Sequence, residues 1–180
     1  MRYRRSTTPG ATYFFTVVTY RRRAILCEPD TVALLREAFA TVKQRHPFRI
    51  DAVVILPDHL HCLWTLPPDD ADYSTRWMRI KSHFTRRCAV SLKTTRSPAL
   101  RHKREQTIWQ HRYWEHQIRD ERDFERHCDY LHYNPVKHGW ACTVTEWPYS
   151  SFHRMVKMGI YPSNWASLDL ESLEAGEREI

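Results

Sequence analysis

The sequence lacks the marks of several common protein classes. It contains four glycines, its five cysteines form no Cys-x-x-Cys pair, and no apolar run approaches the roughly 20 residues that span a bilayer. No apolar signal core follows the basic start of the chain. These absences argue against a glycine-rich RNA-binding signature, a disulfide framework, a zinc ribbon and a membrane span. They predict a cytoplasmic protein with reduced cysteines.

Apolar and aromatic residues are plentiful enough for one hydrophobic core. The chain has 180 residues, of which 42% are hydrophobic and 13% aromatic. We predict one domain over residues 1–162 and an acidic tail over residues 163–180. The tail is either a solubilising end or a segment that folds back over a basic surface and competes with its ligand.

Positive charge is concentrated rather than spread. The formal net charge is +7, and residues 73–104 carry ten lysines or arginines and no acidic residue. Such a stretch favours a polyanion, most often nucleic acid, although a solvated basic surface is the alternative. The predicted DNA-binding residues are Arg2, Arg4, Arg5, Arg76, Arg79, Lys81, Arg86 and Arg87.

Hydrophobic periodicity and breaker residues predict the element order β-α-β-β-α-β-α. The predicted strands cover residues 12–20, 48–56, 59–66 and 108–118, and the predicted helices cover residues 31–45, 74–92 and 120–135, with a short helix after residue 151. Residues 94–106 are predicted to form a loop. This order indicates an α+β, ferredoxin-like (split βαβ) antiparallel sheet with helices on one face plus a C-terminal helical extension.

Two histidines alternate on the third predicted strand. Side chains two apart on a strand share a face, so His59 and His61 project together and Cys62 points the other way. A rigid imidazole pair is half of a metal site, or else two strand histidines satisfied by hydrogen bonds. A zinc site drawing on Cys62, His61, His127 or Cys128 is a further alternative.

The third predicted helix places a phenol and an amide together. His127, Tyr130 and Asn134 share one helix face, with Tyr130 and Asn134 four residues apart. The phenol could be a nucleophile and the amide oxygen a third metal ligand. Alternatively, Tyr130 is a core-edge residue and Asn134 a helix cap before proline. Combined with a histidine pair and a basic arm, the tyrosine predicts attack on a phosphate, for which a metal ion and arginines offset its ordinary pKa near 10.

Three separated motifs resemble a known family. Leu56-Pro-Asp-His-Leu-His-Cys-Leu-Trp resembles the HUH motif of single-tyrosine transposases. Two further segments resemble the REP-associated tyrosine transposase branch: Ile108-Trp-Gln-His-Arg-Tyr-Trp-Glu-His-Gln-Ile-Arg-Asp and Asp129-Tyr-Leu-His-Tyr-Asn-Pro-Val-Lys-His-Gly-Trp. Trp147-Pro-Tyr-Ser-Ser-Phe-His-Arg extends the resemblance towards the C-terminus.

The resemblance implies a function and a site. It makes His59 and His61 metal ligands for Mg²⁺ or Mn²⁺ and Tyr130 the nucleophile, and it places Asn134 at the third ligand, where the insertion-sequence branch more often has glutamine. The implied protein is a monomeric, nucleoid-associated endonuclease and strand transferase. It needs no small-molecule cofactor, and its substrate is single-stranded DNA with palindromic REP hairpins. The alternatives are a hairpin-binding protein without chemistry and a single-stranded RNA-binding module.

Overall fold

The computed structural model describes residues 7–96, 98–102 and 107–165. The strands are β1 (Thr12–Val18), β2 (Arg49–Ile55), β3 (His59–Thr65) and β4 (Trp114–Gln117), and the helices are α1 (Pro29–Arg45), α2 (Tyr73–Arg87), α3 (Pro98–His102), α4 (Glu121–Lys137) and α5 (Phe152–Lys157). Single 3-10 turns cover Tyr20–Arg22, Val90–Leu92 and Val144–Glu146. Within the described residues, no helix is long and apolar enough to cross a membrane.

The four strands form one antiparallel sheet in the order β2-β3-β1-β4. Strand β3 lies between β1 and β2, so it splits the first βαβ unit, as the element order predicts. The α+β fold with an antiparallel sheet is therefore confirmed. His61 pairs with Thr16 of β1 and Val54 of β2, which places it in the middle of the sheet.

The two faces of the sheet are covered by different helices. Alternate β3 residues Leu60, Cys62 and Trp64 join a core with α1 and α2, in which Trp64 stacks on Trp77 with ring centroids 4.3 Å apart. Leu63 points the other way, into a smaller core with α4 and α5. The C-terminal extension thus covers the face opposite α1 and α2, and the histidines face α4.

Helix α4 continues past the proline that was predicted to end it. Asp120 caps its start by accepting from the Asp123 amide at 2.8 Å, as expected. Pro135 lies inside the helix, which ends at Lys137. The end predicted at residue 135 was wrong because Asn134 and Pro135 are both buried, and this packing outweighs the hydrogen bond that proline cannot donate.

Several other predicted bounds were too long. The first strand ends at Val18 and is followed by the turn Tyr20–Arg22, and the second helix ends at Arg87. The fourth strand covers Trp114–Gln117 rather than residues 108–118. The loop predicted at residues 94–106 contains the short helix α3.

Packed structure continues beyond the predicted domain boundary at residue 162. Trp165 lies against Tyr161 with ring centroids 4.7 Å apart, and both contact Phe152. The acidic residues of the predicted tail, and Arg2, Arg4 and Arg5, lie outside the described residues.

Candidate active site

His59 and His61 lie side by side on β3 beneath α4. Their ring centroids are 4.9 Å apart and their planes meet at 82°. His59 is 2% exposed and His61 is fully buried. The strand therefore holds two imidazoles rigidly on one face, as the His-x-His spacing predicts.

Neighbouring side chains fix the orientation of both rings. His59 Nδ1 lies 2.6 Å from Asp58 Oδ1, and His61 Nδ1 lies 2.9 Å from the Thr16 hydroxyl. The Nε2 atom of each ring then faces away from these partners. Engagement of the other nitrogen is the usual arrangement around metal-binding histidines, because it fixes the tautomer.

The electrostatics of the site keep His61 neutral. Its pKa is held well below the ordinary value, first by burial and then by the nearby His59, His138 and Lys137. The Asn134 amide lies beside the ring, and its hydrogen bond with the ring opposes this lowering of the pKa. A neutral imidazole is the form that can coordinate a metal ion.

The acid next to His59 stays ionised. Burial would raise the pKa of Asp58, but its hydrogen bonds with His59 and Arg22 bring that pKa below the usual value. The carboxylate therefore accepts from both partners at once.

Helix α4 brings Tyr130 and Asn134 to the histidines. The rings of Tyr130 and His61 have centroids 5.4 Å apart, and Phe14 packs against both rings. Tyr130 is 3% exposed and Asn134 is fully buried. The structure therefore gathers the predicted nucleophile and all three predicted ligands in one place, within one chain.

The donor set fits a divalent metal ion. His59 Nε2 is buried and makes no hydrogen bond to the described residues. With the Nε2 atom of His61 and the Asn134 amide oxygen it offers two nitrogens and one oxygen, which suits Mn²⁺ better than Mg²⁺. A bound cation would give the buried His59 Nε2 a partner and so offset the free-energy cost of burying it.

Two residues at the end of α4 were missed from the sequence. Lys137 Nζ lies 4.9 Å from the centroid of the Tyr130 ring, and the His138 ring lies 5.5 Å from that of His59. Lys137 is seven residues after Tyr130, so it shares the helix face of the tyrosine. The prediction that the helix ends at Pro135 concealed this signal.

A second cluster lies across Phe14 from the histidine pair. His116, Asp123 and His127 bring ligand atoms within 4.8 Å of one another, and the two imidazoles stack 4.6 Å apart. The Arg119 guanidinium already binds the Asp123 carboxylate, with Nε 3.0 Å from Oδ2. These contacts hold the pKa of Asp123 far below its ordinary value despite partial burial. The Arg119 guanidinium thus supplies, next to the Asp123 carboxylate, the positive charge that a metal ion would bring to this cluster.

The zinc alternative involving Cys62 was wrong. Cys62 belongs to the core beneath α1 and α2, whereas its neighbour His61 faces α4, so the two cannot share an ion. Burial raises the pKa of Cys128 to about 12, which disfavours the thiolate that binds zinc.

The basic residues predicted on α2 differ in availability. Arg76 is 2% exposed and donates to the Asp70 carboxylate and the Pro47 carbonyl, so it secures the start of α2 and is not available to DNA. Lys81 donates to the Gln110 carbonyl. Arg79, Arg86 and Arg87 are exposed, although Arg87 pairs with Glu37. All lie on the helix that covers the face opposite the histidines.

Three comparisons with known proteins all find similarity to transposases. The family model described as IS200-like transposase matches residues 7–134. A REP-associated tyrosine transposase of Escherichia coli K12 is 45% identical over 178 residues, covering 99% of this chain and 98% of that protein. A Haemophilus influenzae protein is 44% identical over 163 residues, covering 91% and 92% of the two chains. A solved structure of a REP-associated tyrosine transposase bound to a REP hairpin has a TM-score of 0.82 at 44% identity, covering 100% of this chain and 99% of that one.

Proposed function

This chain belongs to the IS200-like transposase family, and we propose that it cuts and rejoins single-stranded DNA at REP hairpins, with Tyr130 as the nucleophile. The observation that carries the proposal is the 5.4 Å separation of the Tyr130 and His61 rings within one chain. A tyrosine beside a histidine pair and an amide has the residue types that a metal-assisted phosphoryl transfer needs.

The reaction follows from the position of Tyr130. Its oxygen attacks the scissile phosphorus and forms a phosphotyrosine bond, while the bond from phosphorus to the 3′ oxygen breaks. The phenol gives its proton to solvent, and the departing 3′ oxygen takes one up. A 3′-hydroxyl can later reverse the step and rejoin DNA, because the phosphodiester is conserved in the intermediate.

The other site residues assist this step. Lys137 places an ammonium over the Tyr130 ring, and a nearby cation favours the ionised oxygen that attacks. We propose that His59, His61 and Asn134 hold Mn²⁺ or Mg²⁺, which would withdraw charge from the phosphate oxygens. Among the predicted basic residues, Arg79 and Arg86 are the exposed ones that suit contacts to stem phosphates.

We propose that a monomer is the active unit and that it acts on chromosomal DNA. Support for the monomer is that Tyr130 already contacts His61 of its own chain, so no second subunit is needed to complete the site. Mixing Tyr130→Phe with His61→Leu protein tests this. We expect no recovery of cleavage, whereas recovery would show that subunits exchange the tyrosine.

The direct test uses end-labelled REP hairpin oligonucleotides with Mn²⁺ or Mg²⁺. We expect a cut strand and a denaturant-resistant protein–DNA adduct from the wild-type chain, and neither from Tyr130→Phe. Tyr133→Phe on the same helix is the matched control and should cleave normally. Hairpin binding without cleavage under either ion would favour a binding protein that lacks chemistry. Equal competition by RNA hairpins would favour the RNA-binding alternative.

A further inference from the structure

We propose that Arg22 binds a phosphate of the DNA strand that enters the site. Because Arg22 also pairs with Asp58, and Asp58 orients His59, the bound phosphate is connected to the position of His59. The inference rests on the proposed function, since it names a DNA contact of the same site. It starts from the turn Tyr20–Arg22, which joins the end of β1 to the region beside His59.

The backbone of this turn is strained. Arg21 has φ 56° and Arg22 has φ 50°, and across the described parts of the chain they are the non-glycine residues with positive φ. Residues other than glycine and asparagine rarely adopt a positive φ, because their Cβ atom then comes too close to the following carbonyl oxygen. Neither arginine is buried, so packing does not offset the strain. Strain of this kind is typical of functional sites.

Hydrogen bonds fasten the turn to the strand that carries His59. The Thr19 amide donates to the Asp58 carbonyl over 2.9 Å, and the Thr19 hydroxyl lies 2.8 Å from the Arg23 carbonyl oxygen. The Tyr20 amide donates to the Ile108 carbonyl. The turn therefore has a fixed position relative to the active site.

The Arg22 side chain extends from solvent to Asp58, which in turn contacts His59. Its Nη1 lies 3.2 Å from Asp58 Oδ2, and Asp58 Oδ1 lies 2.6 Å from His59 Nδ1. The Arg22 side chain is 53% exposed, and its other N–H groups make no hydrogen bond to the described residues. A guanidinium has five donors in a planar fork, so one arm can hold Asp58 while others bind a phosphate.

The ion pair by itself does not explain the strain. A partly exposed pair of this kind contributes little to stability, because water screens it and both side chains lose freedom. A glycine or asparagine would fit the backbone better but would lose the guanidinium. The structure thus keeps an arginine where the fold alone favours another residue.

Arg21 is a matched internal control. It has nearly the same backbone conformation and is also exposed, but its guanidinium lies 5.3 Å from the centroid of the neighbouring Tyr20 ring. Replacing Arg21 with glycine relieves the same kind of strain without removing the link to Asp58.

The experiment compares Arg22→Gly with Arg21→Gly. We measure the melting temperature of each variant, and hairpin affinity against salt concentration in a Tyr130→Phe background that binds without cutting. We expect Arg21→Gly to melt about 2–4 °C higher than the wild type, and Arg22→Gly to melt no lower than it. Only Arg22→Gly should lose affinity, with its salt slope reduced by about 0.7–0.9, the value for one phosphate contact.

Cleavage and a conservative variant complete the test. With Tyr130 intact, Arg22→Gly should cut about tenfold more slowly and Arg21→Gly at the wild-type rate, while Arg22→Lys should restore most of the salt slope. An unchanged slope in Arg22→Gly would overturn the inference, and so would an equal loss in Arg21→Gly or a lower melting temperature for Arg22→Gly. Because the wild-type chain is assayed in parallel, its failure to bind or cut would refute the proposed function instead.

Discussion

The two faces of the sheet differ in the size of their apolar cores and in the polar groups that they bury. Beneath α1 and α2, Trp64 stacks on Trp77 in a core of aromatic and aliphatic side chains. Beneath α4, the sheet buries His59 and His61 next to a smaller apolar core. Apolar burial stabilises a fold, whereas burial of polar groups costs free energy unless a partner satisfies them. One face thus provides the stability that lets the other face hold reactive groups.

Strand β3 contributes to both faces, so single substitutions on it can separate the two roles. We expect His61→Leu to reduce cleavage by more than about a hundredfold, because it removes a metal ligand and not merely a supporting contact. Its free energy of unfolding without divalent ions should change by less than about 1.5 kcal/mol. Cleavage assays and urea denaturation check both numbers. A large loss of stability would show that this histidine is structural.

The opposite test replaces a residue of the apolar face, three residues further along β3. Trp64→Ala should lower the free energy of unfolding by about 3–5 kcal/mol, because it leaves a cavity against Trp77 and Phe48. The fraction that stays folded should cleave hairpins at nearly the normal rate. Cleavage that falls much further than the folded fraction, measured by circular dichroism, would show that the two faces are not independent.

A smaller effect is expected for the cation above the nucleophile. Lys137→Met should slow cleavage by about tenfold under saturating DNA, because the ionised tyrosine loses a nearby positive charge. Lys43→Met, an exposed lysine on α1 over the other face, is the control and should have no effect. Equal losses in the two variants would indicate a general effect of charge on DNA binding.

The last prediction concerns pH. Burial lowers the pKa of His132 to about 3, and its Nε2 lies 2.9 Å from the Ser151 hydroxyl. The unfolded chain therefore binds a proton between about pH 6.5 and 3 that the folded chain does not, so stability falls as the pH is lowered through this window. From pH 7 to pH 5 the loss due to this ring is about 2 kcal/mol. His132→Gln should flatten the curve of unfolding free energy against pH, and an unchanged curve would contradict this assignment.

Local patterns predicted the order of strands and helices along the chain and the shared face of the histidine pair, because hydrophobic periodicity marks each element and a two-residue period fixes which side chains share a face. That α4 lies over the histidines was implied by the family resemblance and not by local patterns, since it is decided by packing between distant segments. The burial of Arg76 was missed for a similar reason. Its partners at Pro47 and Asp70 meet it only in the folded chain.

The sequence signal for the end of α4 also gave a wrong prediction. Pro135 indicates a helix end, yet the buried helix continues and carries Lys137 to the nucleophile. The strained arginine turn had no sequence signal, because arginine is not a residue that positive φ favours.

The measurement that tests the central claim most directly is the site of covalent attachment. After reaction with a REP hairpin oligonucleotide and a divalent ion, the protein is digested and the peptide that carries nucleotide is identified by mass spectrometry. We predict that the nucleotide is joined to Tyr130. Attachment to another residue, such as Tyr133 on the same helix, would contradict the assignment of the face beneath α4 as the active site.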